Sequence, residues 1–269
     1  MFGNFKDTDR EILLKIDSDR ELLNTCSLNK YFYGLCDDMF FRNRIVYKYP
    51  LSLKNKPEGM KWKQYYLKLV YIIGKIKEDF GFEFTSGDPE KYYNILKTNS
   101  IHSQFRISSY HNYTDLIDYL IYRENNKPDN WKYPYYLKWG IYGAAEGNHE
   151  ELIDWYLTHD ENNLINSALD GAVKGGNIKL VEKLILKGSN DFDGALVYAG
   201  EYGHRDIINL LIRKGGNINE ALYGASFIEN PNKDLIEYII EKGANVEEVI
   251  REAEQNGELK AANLLRKYL

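Results

Sequence analysis

From Gly140 onward one phrase recurs along the chain: a small-residue helix, a Gly-Asn or Gly-His turn, an apolar helix, then a Gly-Asn loop. The turns stand at Gly147-Asn148, Gly176-Asn177, Gly203-His204 and Gly257-Glu258, so successive separations are 29 and 27, followed by 54 residues, room for two units of 27. The turn between those two is rewritten as Glu229-Asn230-Pro231-Asn232. A period of this size constrains the fold strongly. One helical hairpin cannot bury its apolar face alone, so neighbouring hairpins must stack.

The helix after each turn carries apolar pairs four residues apart: Leu180-Val181 with Leu184-Ile185, Ile207-Ile208 with Leu211-Ile212, and Leu235-Ile236 with Ile239-Ile240. That spacing places them on one face of a 3.6-residue helix. Each of these helices ends in Lys-Gly, at Lys187-Gly188, Lys214-Gly215 and Lys242-Gly243. A glycine just past the last turn suits a left-handed cap, and the lysine complements the dipole. Ala172, Ala199 and Ala253 each stand four residues before the turn glycine, where small side chains let adjacent hairpins approach. Glu258 to Leu269 reads as a capping helix with Ala261, Ala262, Leu264 and Leu265 inward. Asp115 to Leu120 echoes Asp234 to Ile239, so a more divergent repeat begins near Ile101, set apart by the Asn/Pro-rich stretch from Glu124 to Asn130.

These units resemble the ankyrin repeat. The family phrase Leu-Leu-Leu-x-x-Gly-Ala-Asp-Val-Asn is similar to Leu210 to Asn219 and to Tyr238 to Val246. Ankyrin units run 33 residues and carry a Thr-Pro-Leu-His turn, whereas these average about 28 and lack it, which implies reduced β-hairpins and fewer finger-tip contacts. Short units of this kind look like the ankyrin arrays of giant DNA viruses of amoebae. The resemblance implies a protein-binding solenoid.

The first fifty residues have another texture, with four short helical segments expected at Glu11–Ile16, Leu22–Leu28, Lys30–Cys36 and Phe40–Tyr47, and with Asp7, Ser18 and Asp37 as helix caps. Glu21 to Cys26, Asn29 to Phe32 and Leu35 to Arg44 together resemble the F-box-like segments that open many giant-virus ankyrin proteins. Phe41 stands where that pattern has Trp. The resemblance implies contact with the adaptor subunit of a cullin-type ubiquitin ligase through Leu13, Leu22, Leu23, Phe40 and Phe41. F-boxes usually open with Leu-Pro, and here Asp9 to Leu13 holds no Pro, so a purely structural helical cap remains the alternative. A long amphipathic helix starts at Lys61, with Trp62, Tyr66, Leu69 and Ile73 on one face, expected to join the box to the repeats.

Composition excludes several functions. A formal net charge of −5 is wrong for a general nucleic-acid binder. The most apolar stretch, Leu67 to Ile76, is half the length of a membrane span and holds Lys68 and Lys75. With no secretory signal in Met1 to Arg10, a cytoplasmic protein is expected. Tyr is abundant, at 23 of 269 residues, a number that AT-rich codon usage explains as readily as function. Cys26 and Cys36 alone cannot build a disulfide framework or a zinc site, and read as small core hydrophobes.

A search for catalytic chemistry finds little. His149-Glu150-Glu151-Leu152-Ile153 begins like a zinc-protease helix but lacks the second histidine. Gly171 to Gly176 has phosphate-loop spacing but is followed by Asn177, and there is no Gly-x-Ser-x-Gly elbow. Gly140, Gly143 and Gly147 fall in a small-residue helix, where repeat packing accounts for them. His204 sits at a turn, where it can bond the adjacent loop. His102, His111 and His159 have no partner motif.

The expected architecture is therefore all-α: an F-box-like segment at 1–50, a connecting helical region at 51–100, and an ankyrin-type solenoid at 101–269. The expected function is non-enzymatic protein binding by a monomer, without cofactor or metal. Aligning the turns places Tyr142, Tyr198, Glu201, Tyr202, Phe227 and Gln255 on the concave face, where a target protein would dock. The open alternative is that these aromatics only cover neighbouring repeats.

Overall fold

The computed structural model describes residues 4–84, 87–98, 100–125, 135–158 and 164–269, without the side chains of 4–7, 125 and 135. Among the described residues the regular structure is helical, with no strand. The Asn/Pro-rich residues 126–130 and His159 fall outside them. The chain forms two compact units, Met1–Asn99 and Ser100–Leu269. Residues 51–99 thus belong with the N-terminal segment instead of forming a separate connector.

In the first unit, helices α1 (Asn4–Leu14), α2 (Asp19–Ser27), α3 (Lys30–Leu35) and α4 (Asp38–Lys48) precede α5 (Trp62–Phe80) and α6 (Pro89–Lys97). Ser18 and Asp37 cap α2 and α4, accepting from the amides of Glu21 and Phe40. Asp7 is not a cap, because α1 already begins at Asn4. Tyr66 and Leu69 of α5 are buried in one core with Leu13, Leu22, Leu35, Phe40, Phe41 and Ile45, and Trp62 and Ile73 pack against it. The apolar stripe of α5 is therefore spent inside its own unit.

A polar knot sits beside that core. The fully buried Arg44 donates to the carbonyls of Leu14 and Ile16, each at 2.5 Å, and to Asp19 at 3.0 Å. Asp19 also accepts from Tyr66 at 2.7 Å and from Tyr49, and pairs with Lys48 at 2.9 Å. Burial opposes ionisation of Asp19, but the bonds from Lys48, Tyr49 and Tyr66 outweigh it and hold its pKa below the ordinary value. Arg44 thus ties the α1–α2 turn to α4, a structural role for this residue.

Cys26 and Cys36 do not remain thiols. They form a disulfide, with Cα atoms 5.8 Å apart, that links α2 to the end of α3. Both are buried, as expected of core residues, but they act as a staple. A stable disulfide belongs to oxidising compartments more often than to the cytosol, which weighs against the cytoplasmic expectation. Among the described residues no helix is long and apolar enough to cross a membrane.

The described residues of the second unit form six helical hairpins: α7 (Ile101–Tyr110) with α8 (Thr114–Asn125), α9 (Tyr135–Glu146) with α10 (Glu150–Thr158), α11 (Ile165–Lys174) with α12 (Ile178–Leu186), α13 (Phe192–Tyr202) with α14 (Arg205–Arg213), α15 (Ile218–Ser226) with α16 (Lys233–Glu241), and α17 (Val246–Gln255) with α18 (Leu259–Leu265). Each first helix packs on the next, α7 on α9 and so on to α17, and α12 packs on α14. Leu180, Val181, Leu184, Ile207, Ile208, Leu211, Leu235, Ile236 and Ile239 are all buried. In α18, Ala261, Ala262 and Leu265 are buried, Leu264 is half-buried, and Lys260 and Asn263 face solvent. The helix stops at Leu265 and a 3-10 turn replaces its expected last residues.

The predicted glycines hold the expected conformations: Gly188, Gly215 and Gly243 have φ of 110°, 102° and 103°. With no β-hairpin among the described residues, the loops between helical hairpins are tied by side chains. Asn166 accepts from the amide of Asn190 at 3.0 Å, Asp193 from that of Asn217 at 2.7 Å, and Asn219 from that of Asn245 at 2.7 Å. Each acceptor stands at the second residue of a first helix and reaches the loop that enters the next, so the backbone groups there are satisfied without a sheet.

Candidate interaction face

The first helices present side chains that meet across successive hairpins. Glu146 of α9 accepts from Arg106 of α7 through two nitrogens, at distances from 2.8 to 3.1 Å, and pairs with Lys174 of α11 at 3.3 Å. Arg106 and Lys174 both lie over the Tyr142 ring, at 5.4 and 5.7 Å from its centroid, and Lys174 also lies 5.2 Å from that of Tyr202. Such cation–ring contacts are strongest where water is partly excluded. The Tyr142 and Tyr198 rings meet at 5.9 Å across α11.

Tyr142 is therefore not presented to a partner. It is only 7% exposed, walled in by Arg106, Lys174 and Tyr198, and burial pushes its phenol pKa well up. This corrects the expectation that placed it on an accessible face. Tyr198 and Glu201 are half-buried, and Gln255 is exposed. Tyr202 and Phe227 are open to solvent, at 42% and 38%. Phe227 is backed by Tyr223, with ring centroids 5.5 Å apart.

Two polar atoms on this face are buried without a partner: Nε1 of Trp139 on α9 and Oδ1 of Asp170 on α11. Burial, with Asp191 adding like charge, raises the Asp170 pKa to about 7 against a weak opposing pull from Lys138. Residues Arg106, Trp139, Asp170 and Lys174 were not singled out from the sequence. The turns carry the missing signal, because Asn148 and Gly176 align the hairpins with an offset of 28, which puts Asp170 in register with Tyr142 and Lys174 with Glu146.

The histidines at the turns are structural. His149 bonds the Tyr110 carbonyl through Nε2 at 2.8 Å, and His204 bonds the Lys174 carbonyl at 3.2 Å. These are matching bonds to the end of the preceding first helix. The Gly140–Gly143–Gly147 series is packing too, since a methyl group on Gly143 would lie 2.1 Å from the Arg106 carbonyl oxygen. Among the described residues no cluster of His, Cys, Asp and Glu could hold a metal ion.

The residues expected to meet a ligase adaptor lie elsewhere than a surface. Leu13, Leu22, Phe40 and Phe41 are at most 3% exposed in the core of the first unit, and Leu23 is half-buried. A set buried in this way does not form a contact surface. The spacing of Leu13, Leu22, Phe40 and Phe41 is that of the inward face of α1, α2 and α4. Exposed apolar side chains in the same stretch of chain include Ile12 on α1, Leu28 just past α2, Tyr33 on α3 and Met39 on α4.

No family model matches the chain. No curated protein matches it either. The reading of function therefore rests on the sequence pattern and the geometry alone.

Proposed function

We propose that the chain is a protein-binding scaffold, an ankyrin-type solenoid of short units whose first helices form the concave face that receives a partner protein. The observation that carries this reading is the exposure of Tyr202 at the end of the first helix α13 and of Phe227 just past the end of the next first helix α15, with Tyr202 beside a charged and aromatic network that is already braced. Large aromatic side chains held by rigid neighbours bury much area on binding at small entropic cost. No catalytic role is proposed. Doubly substituting Tyr202→Ala and Phe227→Ala should cut partner binding at least tenfold, the loss of two anchors, with helicity and Tm unchanged. Undiminished binding by the folded variant would overturn the assignment.

A second reading concerns the first unit as an F-box-like module that recruits a cullin-type ligase adaptor. What favours it is the exposed apolar set Ile12, Leu28, Tyr33 and Met39 on or just beyond short helices. Substitution of Leu28 and Met39 by Asp tests it, because these positions lie outside the core and leave folding intact. The buried Leu22 and the half-buried Leu23 do not serve that purpose.

A further inference from the structure

The second helices α10 and α12 are separated by a groove that the chain closes with its own lysines. Lys183 pairs with Glu150 and Lys187 with Asp154, and a cavity of only about 10 Å³ is left among them. The preceding groove, between α8 and α10, is open, with a cavity of about 540 Å³.

Register explains the difference. The left-handed turn residues Asn112, Asn148 and Gly176, with φ of 55°, 59° and 71°, align the three hairpins with offsets of 36 and 28. On that alignment Trp155 of α10 takes the place of Lys183, Asp118 of α8 takes that of Asp154, and Thr114 takes that of Glu150. The position matching Lys187 is His159, outside the described residues. The open groove thus keeps a carboxylate, gains Glu151, and presents an indole where its neighbour supplies an ammonium group. Among the described residues no ion pair reaches Asp118 or Glu151. Ile117 and Leu152, both buried, line the same cavity.

We propose that this groove takes an arginine side chain from an extended basic segment of a partner protein. The argument is charge complementarity with a template in the same molecule: one hairpin further on, Asp154, the equivalent of Asp118, and its neighbour Glu150 are met by cationic side chains of the chain itself. Trp155 selects arginine over lysine, because a planar guanidinium stacks on an indole and can still direct its N–H groups to carboxylates. The methylene stem lies along Ile117 and Leu152, and the fork reaches Asp118 and Glu151. The volume is in the range of sites that hold drug-sized ligands, so the residue flanking the arginine fits beside it. The groove belongs to the second helices and stands independently of the first-helix face.

The test is an NMR titration of the ¹⁵N-labelled full chain with N-acetyl-arginine methylamide and with its norleucine counterpart. It is read at the Trp155 indole N–H and at the backbone amides of α8 and α10. The arginine derivative should give a saturable shift there and the norleucine derivative should bind at least tenfold more weakly. Asp118→Asn combined with Glu151→Gln should weaken the arginine derivative about three- to tenfold without changing Tm, the scale of partly exposed charge pairs. Trp155→Lys, which installs the residue of the neighbouring groove, should abolish the response in a folded protein. No saturable shift, an equal response to norleucine, or full binding by folded Trp155→Lys would each overturn the proposal.

Discussion

A methyl group placed on Gly171 would stand 2.1 Å from the backbone carbonyl oxygen of Tyr142. The helices α9 and α11 meet backbone to backbone at this point, with no side chain able to yield. The same contact recurs between α13 and α15, where methyl groups on Gly200 and Gly224 would stand 2.0 Å from the carbonyl oxygens of Ala221 and Val197. Close approach of first helices is therefore the means by which short hairpins build one face.

Gly171→Ala should accordingly push α9 and α11 apart and destabilise the second unit by about 1–3 kcal/mol, the ordinary cost of overpacking a tight interior. Urea denaturation followed by circular dichroism measures it. Gly34→Ala is the control, since a Cβ there meets nothing within 4 Å and its helical position favours Ala over Gly. A Gly171→Ala protein as stable as the parent would show that the helices are not in contact here.

Asp170 makes stability depend on pH. Its pKa rises on folding from an ordinary 3.8 to about 7, by burial and then by Asp191. The native state therefore holds a proton that the unfolded chain has lost, and stability falls as pH rises from about 4 to about 7. The cost at neutral pH is at most about 4 kcal/mol, since one pKa unit is worth about 1.4 kcal/mol. Asp170→Asn should remove this component and flatten that stretch of the pH–stability curve. Parallel curves for parent and variant would contradict the burial of an unpartnered carboxylate.

The disulfide spans a sequence separation of 10. Closing a loop that short stabilises by about 2–3 kcal/mol on chain-entropy grounds. Adding a reductant, or replacing both Cys26 and Cys36 by Ala, should lower the unfolding midpoint of the first unit accordingly. Thiol titration under denaturing conditions should find no free thiol before reduction and two after. Two free thiols in the unreduced protein would restore the reading of these residues as plain core hydrophobes.

How much of this was legible in the sequence divides by the range of the interaction. Local signals were readable: the Lys-Gly stops at Gly188, Gly215 and Gly243, the caps at Ser18 and Asp37, and the buried pairs from Leu180 to Ile239 all follow from backbone geometry and helical period. Contacts between hairpins were not. Tyr142 reads as a surface aromatic until Arg106, Lys174 and Tyr198, which come from three other helices, enclose it. Likewise, Leu22 and Phe41 carry a motif, and a motif does not say which side of a helix faces its own core. The pairing of Cys26 with Cys36 depends on how α2 and α3 cross, which spacing alone leaves open.

The most direct measurement is site-specific photo-crosslinking with benzoylphenylalanine at Tyr202, at Phe227 or at Leu186, the last 85% exposed on the second helix α12, in extract of the source cells. The account predicts that the same partner band is captured from Tyr202 and Phe227, is competed by unlabelled parent protein, and is missing from Leu186. Equal capture from all three positions, or capture from Leu186 alone, would contradict a binding face on the first helices.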